Sequence, residues 1–140
     1  MLRSKLLHPQ ILDALGRAGH GSKVLIPDGN YPFTTGSNPA AAHVYLNLMP
    51  GVVTVTQVLE AVLSAVPVEA AQVMATADGS TPGIWAEFRQ LMPGIALEPL
   101  ERFAFYDAAR DPNVALVIAT AEQRIYANIL LTIGVIPPEA

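Results

Sequence analysis

The chain has 140 residues, with twelve acidic and eight basic side chains, a formal net charge of −4, three histidines and no cysteine. So few cations on an acidic chain form no basic stripe, which excludes a nucleic-acid binder driven by counterion release. The missing cysteines exclude disulfides, thiolate metal sites and a Cys nucleophile.

Only 14% of the residues are charged and 51% are hydrophobic, whereas a domain of ordinary composition carries about 25% charged residues. A surface this poor in charge predicts faces covered by other copies, hence a homo-oligomer. The length fits a single domain over residues 1–140 with a sizeable core. No apolar run reaches the roughly 18 residues that span a bilayer. The opening Met1-Leu2-Arg3-Ser4-Lys5-Leu6-Leu7-His8-Pro9 lacks the apolar centre of a secretory signal. The expectation is a cytoplasmic protein with no membrane partner.

The first predicted helix starts at Pro9, where a missing N–H does no harm. It turns Ile11, Leu12, Leu15 and Ala18 to a core and stops at Gly19. Lys23-Val24-Leu25-Ile26-Pro27 predicts a short buried strand that ends in the turn signal Asp28-Gly29-Asn30. A polar, irregular loop through Ser37 and Pro39 follows, and then an alternating strand over 43–48. Thr54 or Thr56 caps a helix carrying Val58, Leu59, Val62, Leu63 and Val66 on one stripe, ended by Pro67. Residues 71–75 read as a strand. Pro82 opens a third helix bearing Ile84, Trp85, Phe88, Leu91 and Met92. The segment 95–100 reads as an edge strand because it contains Pro99. A short helix over 102–110, a strongly buried strand over 114–119 and a last strand over 125–133 complete the chain. This alternation predicts an α/β class of fold, a three-layer α/β/α arrangement with a mixed, largely parallel central sheet. Ligand sites in such sheets lie beyond the carboxyl ends of strands.

Asp28 falls at such an end. His20 stands between two glycines, Gly19 and Gly21, which give its imidazole open space. The short strand between them places Asp28 as a partner for His20, since a carboxylate beside an imidazole fixes its tautomer. Plainer readings stay open, with His20 as a helix cap and Asp28 as a turn former. His8 reads as a helix-entry residue and His43 as an exposed or interface residue. Arg102 reads either as a ligand contact or as an ordinary surface helix residue. Tyr126 and Asn128 point to one side if their segment is a strand, and a phenol beside an amide suits a polyhydroxylated ligand. The other reading is a buried tyrosine with a satisfied hydroxyl. His20 and Asp28 are too few ligands for a metal. There is no G-x-S-x-G, no P-loop and no G-x-G-x-x-G, so neither a serine nucleophile nor a nucleotide cofactor is indicated.

Four pieces, in this order and spacing, resemble one family. They are Gly19-His20-Gly21, Asp28 with Pro32, Arg102-Phe103-Ala104-Phe105-Tyr106, and Tyr126-Ala127-Asn128-Ile129-Leu130-Leu131 before Gly134-Val135. From Leu6 to Val135 the chain is similar to the ribose pyranase and fucose mutarotase family, and closer to its fucose branch. The resemblance implies an isomerase without a cofactor or metal, interconverting anomers of L-fucose or a related monosaccharide. It makes His20 and Tyr126 the catalytic acid–base groups and Asp28, Arg102, Tyr126, Ala127 and Asn128 the sugar contacts. It also implies a ring of copies, often a decamer, with sites at subunit contacts. Ala127 resembles the ribose branch, and the Asn30-Tyr31-Pro32-Phe33 loop follows neither branch. The alternatives are a ribose pyranase and a non-catalytic sugar-binding module.

Overall fold

In the computed structural model, which describes residues 1–139, each helix begins where a local signal stops the preceding chain. Pro9 occupies the first turn of α1 (Pro9–Arg17), and Ile11, Ala14 and Leu15 form its buried face. The helix ends on an extended Ala18, whose N–H reaches the carbonyls of Ala14 and Leu15. The expected stop at Gly19 therefore comes one residue early and needs no left-handed glycine. Thr54 and Gln57 form a reciprocal capping box at the start of α2 (Val55–Leu63), which satisfies two otherwise free N–H groups. Gly83 precedes α3 (Ile84–Leu91), which buries Ile84, Trp85 and Phe88. The Glu101 carboxylate accepts the first N–H groups of α4 (Arg102–Ala109), at 2.6 Å from Phe103 and 3.4 Å from Ala104.

Six strands form one sheet: β1 (Lys23–Ile26), β2 (Ala42–Tyr45), β3 (Val68–Met74), β4 (Leu97–Leu100), β5 (Val114–Ala119) and β6 (Ile129–Ile133). Their order across the sheet is β2-β5-β1-β6-β3-β4. β5 lies parallel to both β1 and β2, and β3 lies parallel to β4. β6 alone runs against its neighbours, pairing antiparallel with β1 and β3. The sheet is thus mixed and largely parallel, as the alternation of elements predicts. β4, which contains Pro99, takes an edge, where a missing donor breaks no ladder.

Side chains alternate between the two faces of the sheet. Val24 and Ile26 join one core with Leu59, Phe88 and Ile11, under α1, α2 and α3. Leu25, Val117 and Leu130 join a second core with Phe105, Ala109 and Tyr31, under α4 and the loop after β1. Strands covered on both faces read as unbroken apolar runs, which is why β1 and β5 stand out in the sequence. No described helix is long and apolar enough to cross a membrane.

Strand bounds shift along the chain: β2 ends at Tyr45 rather than at residue 48, and β4 begins at Leu97 rather than at residue 95. β3 begins at Val68 rather than at residue 71. β6 begins at Ile129, and residues 125–128 form a loop because Tyr126 sits at φ 57°. A left-handed residue cannot continue a β-ladder.

This topology gathers particular residues at one end of the sheet. The carboxyl ends of β1, β3, β4 and β5 and the start of β6 all face the same way. Met74 ends β3 there, and the chain next to the strand ends supplies Asp28, Arg102, Thr120 and Asn128. The opposite end carries the Gly19-His20-Gly21 turn before β1, together with Glu69 near the start of β3.

Candidate active site

A polar cavity of about 210 Å³ opens at the first of these ends, lined by Asp28, Tyr31, Met74, Arg102, Tyr126 and Asn128 among others. Asp28 is buried, and its backbone N–H donates to Asn128 Oδ1 at 2.7 Å. Its carboxylate accepts the N–H of Asn30 at 3.0 Å and that of Ala127 at 3.2 Å. Contacts across about a hundred residues of chain therefore tie the end of β1 to the start of β6. Burial pushes the Asp28 carboxyl above its ordinary value of 3.8, and the N–H groups of Asn30, Ala127 and Tyr31 pull it part of the way back. The Asn128 amide nitrogen lies 3.7 Å from Met74 Sδ, a weak acceptor that leaves the amide free to donate elsewhere.

Arg102 begins α4, and its guanidinium lies over the rings of Phe103 and Tyr106, at 5.2 Å and 5.5 Å. Its Nε donates to the Tyr106 hydroxyl at 3.1 Å. The terminal guanidinium nitrogens keep their donors for a ligand. Tyr106 packs edge-on against Tyr31 at 5.3 Å, and the Tyr31 hydroxyl donates to the Gly36 carbonyl at 2.5 Å. Half-buried Tyr126 borders the cavity. Its left-handed backbone costs roughly 1–2 kcal/mol for a residue other than glycine, and it persists where the surroundings fix it. Here the next N–H, that of Ala127, is held by Asp28.

The structure thus brings Asp28, Arg102, Tyr126 and Asn128 together, with Ala127 buried behind them. Tyr126 and Asn128 meet at one cavity through the loop, and not as two residues on one side of a strand. His20 is elsewhere. β1 runs directly from the His20 turn to Asp28, and four strand residues span about 13 Å. The expectation that Asp28 returns to the side of His20 in the same chain is therefore corrected: the two stand at opposite ends of the sheet. His20 is exposed, and its Nε2 lies 3.1 Å from both Glu69 carboxylate oxygens. Its turn is held by Gly21, at φ 86°, whose N–H donates to Ile133 O at 3.0 Å. His43 is half-buried between the Ser37 hydroxyl and the Ala41 carbonyl, and His8 is the residue that precedes α1.

The sequence reading assigns no role in the site to Tyr31, Met74, Tyr106 or Glu69. Tyr106 had a signal, four residues after Arg102 on a helix and so on the same face. Glu69 had none, since its partner lies 49 residues earlier.

A mixed sheet covered on both faces, with a carboxylate, an amide, a guanidinium and a phenol around a cavity at its end, defines an α/β domain with a site suited to a polyhydroxylated ligand. The chain belongs to the RbsD / FucU transport protein family, whose model matches residues 1–136. It is 27% identical to the fucose mutarotase of Danio rerio over 96% of this chain and 92% of that one. It is 33% identical to the D-ribose pyranase of Paracidovorax citrulli over 96% and 98%. The crystal structure of the fucose mutarotase from Streptococcus pneumoniae in complex with L-fucose superposes with a TM-score of 0.79 at 26% identity, covering 93% of this chain and 94% of that one.

Proposed function

We propose that this protein is a cofactor-independent monosaccharide mutarotase, with L-fucose or a related sugar as substrate, working as a homo-oligomer in the cytoplasm. Each site combines the pocket of one copy with the His20–Glu69 pair of another. The observation that carries this reading is the division of groups within one chain. Asp28, Arg102, Tyr126 and Asn128 form a held binding half, and His20 stands exposed and oriented at the far end. An exposed imidazole with a carboxylate behind it is available to a neighbour and not to its own pocket.

Mutarotation requires a proton to leave the anomeric hydroxyl and a proton to reach the ring oxygen. The bond from C1 to the ring oxygen breaks, giving an open aldehyde. Rotation about C1–C2 exposes the other carbonyl face, and the ring hydroxyl adds back with the protons returned. No electrons leave the sugar. In this scheme the imidazole of His20 takes or gives one proton. Glu69 holds one ring nitrogen and so leaves the other to the sugar. Tyr126 handles the second proton. The Asp28 carboxylate accepts sugar hydroxyls on its remaining lone pairs, and Asn128 and Arg102 donate to sugar oxygens.

Arg102 and the apolar wall of Met74 and Ile125 support a 6-deoxy sugar such as fucose, whose methyl group needs an apolar surface. A second reading, a D-ribose pyranase, is favoured by Ala127 and by the 33% identity to the D-ribose pyranase above. A non-catalytic sugar-binding module would need the pocket but not His20. Saturation-transfer NMR of anomer exchange across L-fucose, D-ribose and D-galactose tests all three. The expected result is fastest exchange with L-fucose, lost in His20→Ala. Fastest exchange with D-ribose selects the second reading, and binding without exchange selects the module.

A further inference from the structure

The loop from Thr120 to Asn128 carries Tyr126 and is held by charge as well as by the backbone. At its start the Thr120 hydroxyl donates to Pro27 O at 2.6 Å, and the Gly29 N–H donates to Glu122 O at 2.9 Å. The Glu122 side chain is buried, and a buried carboxylate persists only when it is paired and hydrogen-bonded. Arg124 meets that need three times over. Its backbone N–H and its Nε each donate to Glu122 Oε2 at 3.2 Å, and its Nη2 donates to Oε1 at 2.9 Å. The remaining terminal nitrogen, Nη1, bonds Glu87 on α3. One guanidinium therefore joins the loop to its own buried carboxylate and to a helix of the other layer. Only Ile125 lies between this junction and Tyr126.

We propose that Arg124 is a positioning residue for Tyr126. The Glu122–Arg124–Glu87 junction fixes the loop on one side of Tyr126, and the Asp28–Ala127 and Asp28–Asn128 bonds fix it on the other. The left-handed backbone of Tyr126 is held between these two anchors, and its phenol is aimed by them. Arg124 does not line the cavity that holds Asp28, Arg102 and Asn128, so it acts on the sugar only through Tyr126. The inference rests on the mutarotase reading for its kinetic consequence, though not for the linkage itself.

Two variants test it. Glu87→Gln releases the α3 tether and leaves the buried Glu122–Arg124 pair intact. Glu122→Gln/Arg124→Gln dissolves the junction while leaving no unpaired buried charge. The double variant is expected to lose about tenfold in anomer-exchange kcat, a fraction of the roughly hundredfold that a 1 Å misplacement can cost. Glu87→Gln is expected to lose about threefold. L-fucose affinity in the calorimeter should stay within about twofold, because Asp28, Arg102 and Asn128 keep their own anchors. In a Tyr126→Phe background the junction variant should cost nothing further. Unchanged kcat in a folded double variant, or an equal loss with and without the Tyr126 hydroxyl, overturns the inference. So does a loss of affinity in step with kcat. The ¹³C shifts of the Tyr126 ring give an independent readout. They should move in both variants, and unmoved shifts overturn the inference even if no sugar tested is exchanged. The absence of exchange in the unmodified protein counts against the mutarotase reading alone.

Discussion

The two ends of the sheet are built differently. At the Asp28 end, a buried carboxylate, two N–H donors and a side-chain amide interlock across the first and last thirds of the chain. The carboxylate and the amide each have both a structural partner and a place in the cavity lining. At the His20 end, one imidazole and one carboxylate face solvent with little else around them. The first end is organised by its own chain, and removing a piece of it disturbs the fold. The second has almost no folding role, yet it holds the residue best suited to moving protons. On the reading proposed above, a chain that folds its binding groups at one end and carries its acid–base group at the other contributes half of each of two sites.

Variants at the two ends should therefore separate activity from stability. The largest effect is expected at the exposed end. His20→Ala should lower anomer exchange by about 10²–10⁴-fold, the usual share of a positioned acid–base group. Its melting temperature should stay near that of the unmodified protein, and a cooperative destabilisation would break the contrast. Asp28→Ala should act on both properties. It leaves the N–H groups of Asn30 and Ala127 unpartnered, at about 1–3 kcal/mol of stability in urea unfolding, and weakens sugar binding by roughly 10–100-fold. Glu69→Gln should slow exchange by about tenfold through loss of imidazole orientation. Its cost in stability should stay below about 1 kcal/mol, since the pair is exposed.

The smallest effect is in pH dependence. Burial alone would raise the Glu122 carboxyl, but its bonds from Arg124 and Val55 outweigh that and hold it below its ordinary value of 4.5. A depressed native pKa means that the stabilisation is fully present above the unfolded value and is lost as pH falls through the native one. The stability advantage of the unmodified protein over Glu122→Gln should therefore be constant at neutral pH and shrink as pH drops below 4.5. Asp28 has the opposite sign. Its raised carboxyl contributes stability in acid that is lost as pH rises through its native value. Melting curves taken through the acid range on Glu122→Gln and Asp28→Asn should slope in opposite senses relative to the unmodified protein.

Much of the fold was legible because its signals are local. Pro9 starts α1, Thr54, one of the two threonines that could cap α2, does cap it, and the apolar runs of β1 and β5 mark strands covered on both faces. Asp28 was legible as a residue beyond a strand end, and Arg102, Tyr126 and Asn128 through the family resemblance. The rest depends on contacts between distant residues. The left-handed turn at Tyr126 follows from a bond between Ala127 and Asp28, 99 residues apart, so the segment reads as strand when taken alone. Glu69 acquires a role only when β3 and β6 bring it to the His20 turn. The separation of His20 from Asp28 follows from extended-chain geometry, because four residues of strand carry the chain away and do not return it. A histidine and an aspartate flanking one strand belong to opposite ends of a sheet.

The central claim is that a complete site draws its halves from two copies. Co-expression of His20→Ala and Asp28→Ala chains under two different tags, followed by purification through both tags in turn, tests it directly. At sugar concentrations below saturation each variant alone should keep no more than about a tenth of the unmodified exchange rate. The account predicts that mixed oligomers are recovered and regain roughly a quarter of the unmodified activity, the share of contacts at which random mixing joins two intact halves. Failure to recover mixed oligomers, or mixed oligomers as inactive as either parent, would contradict it.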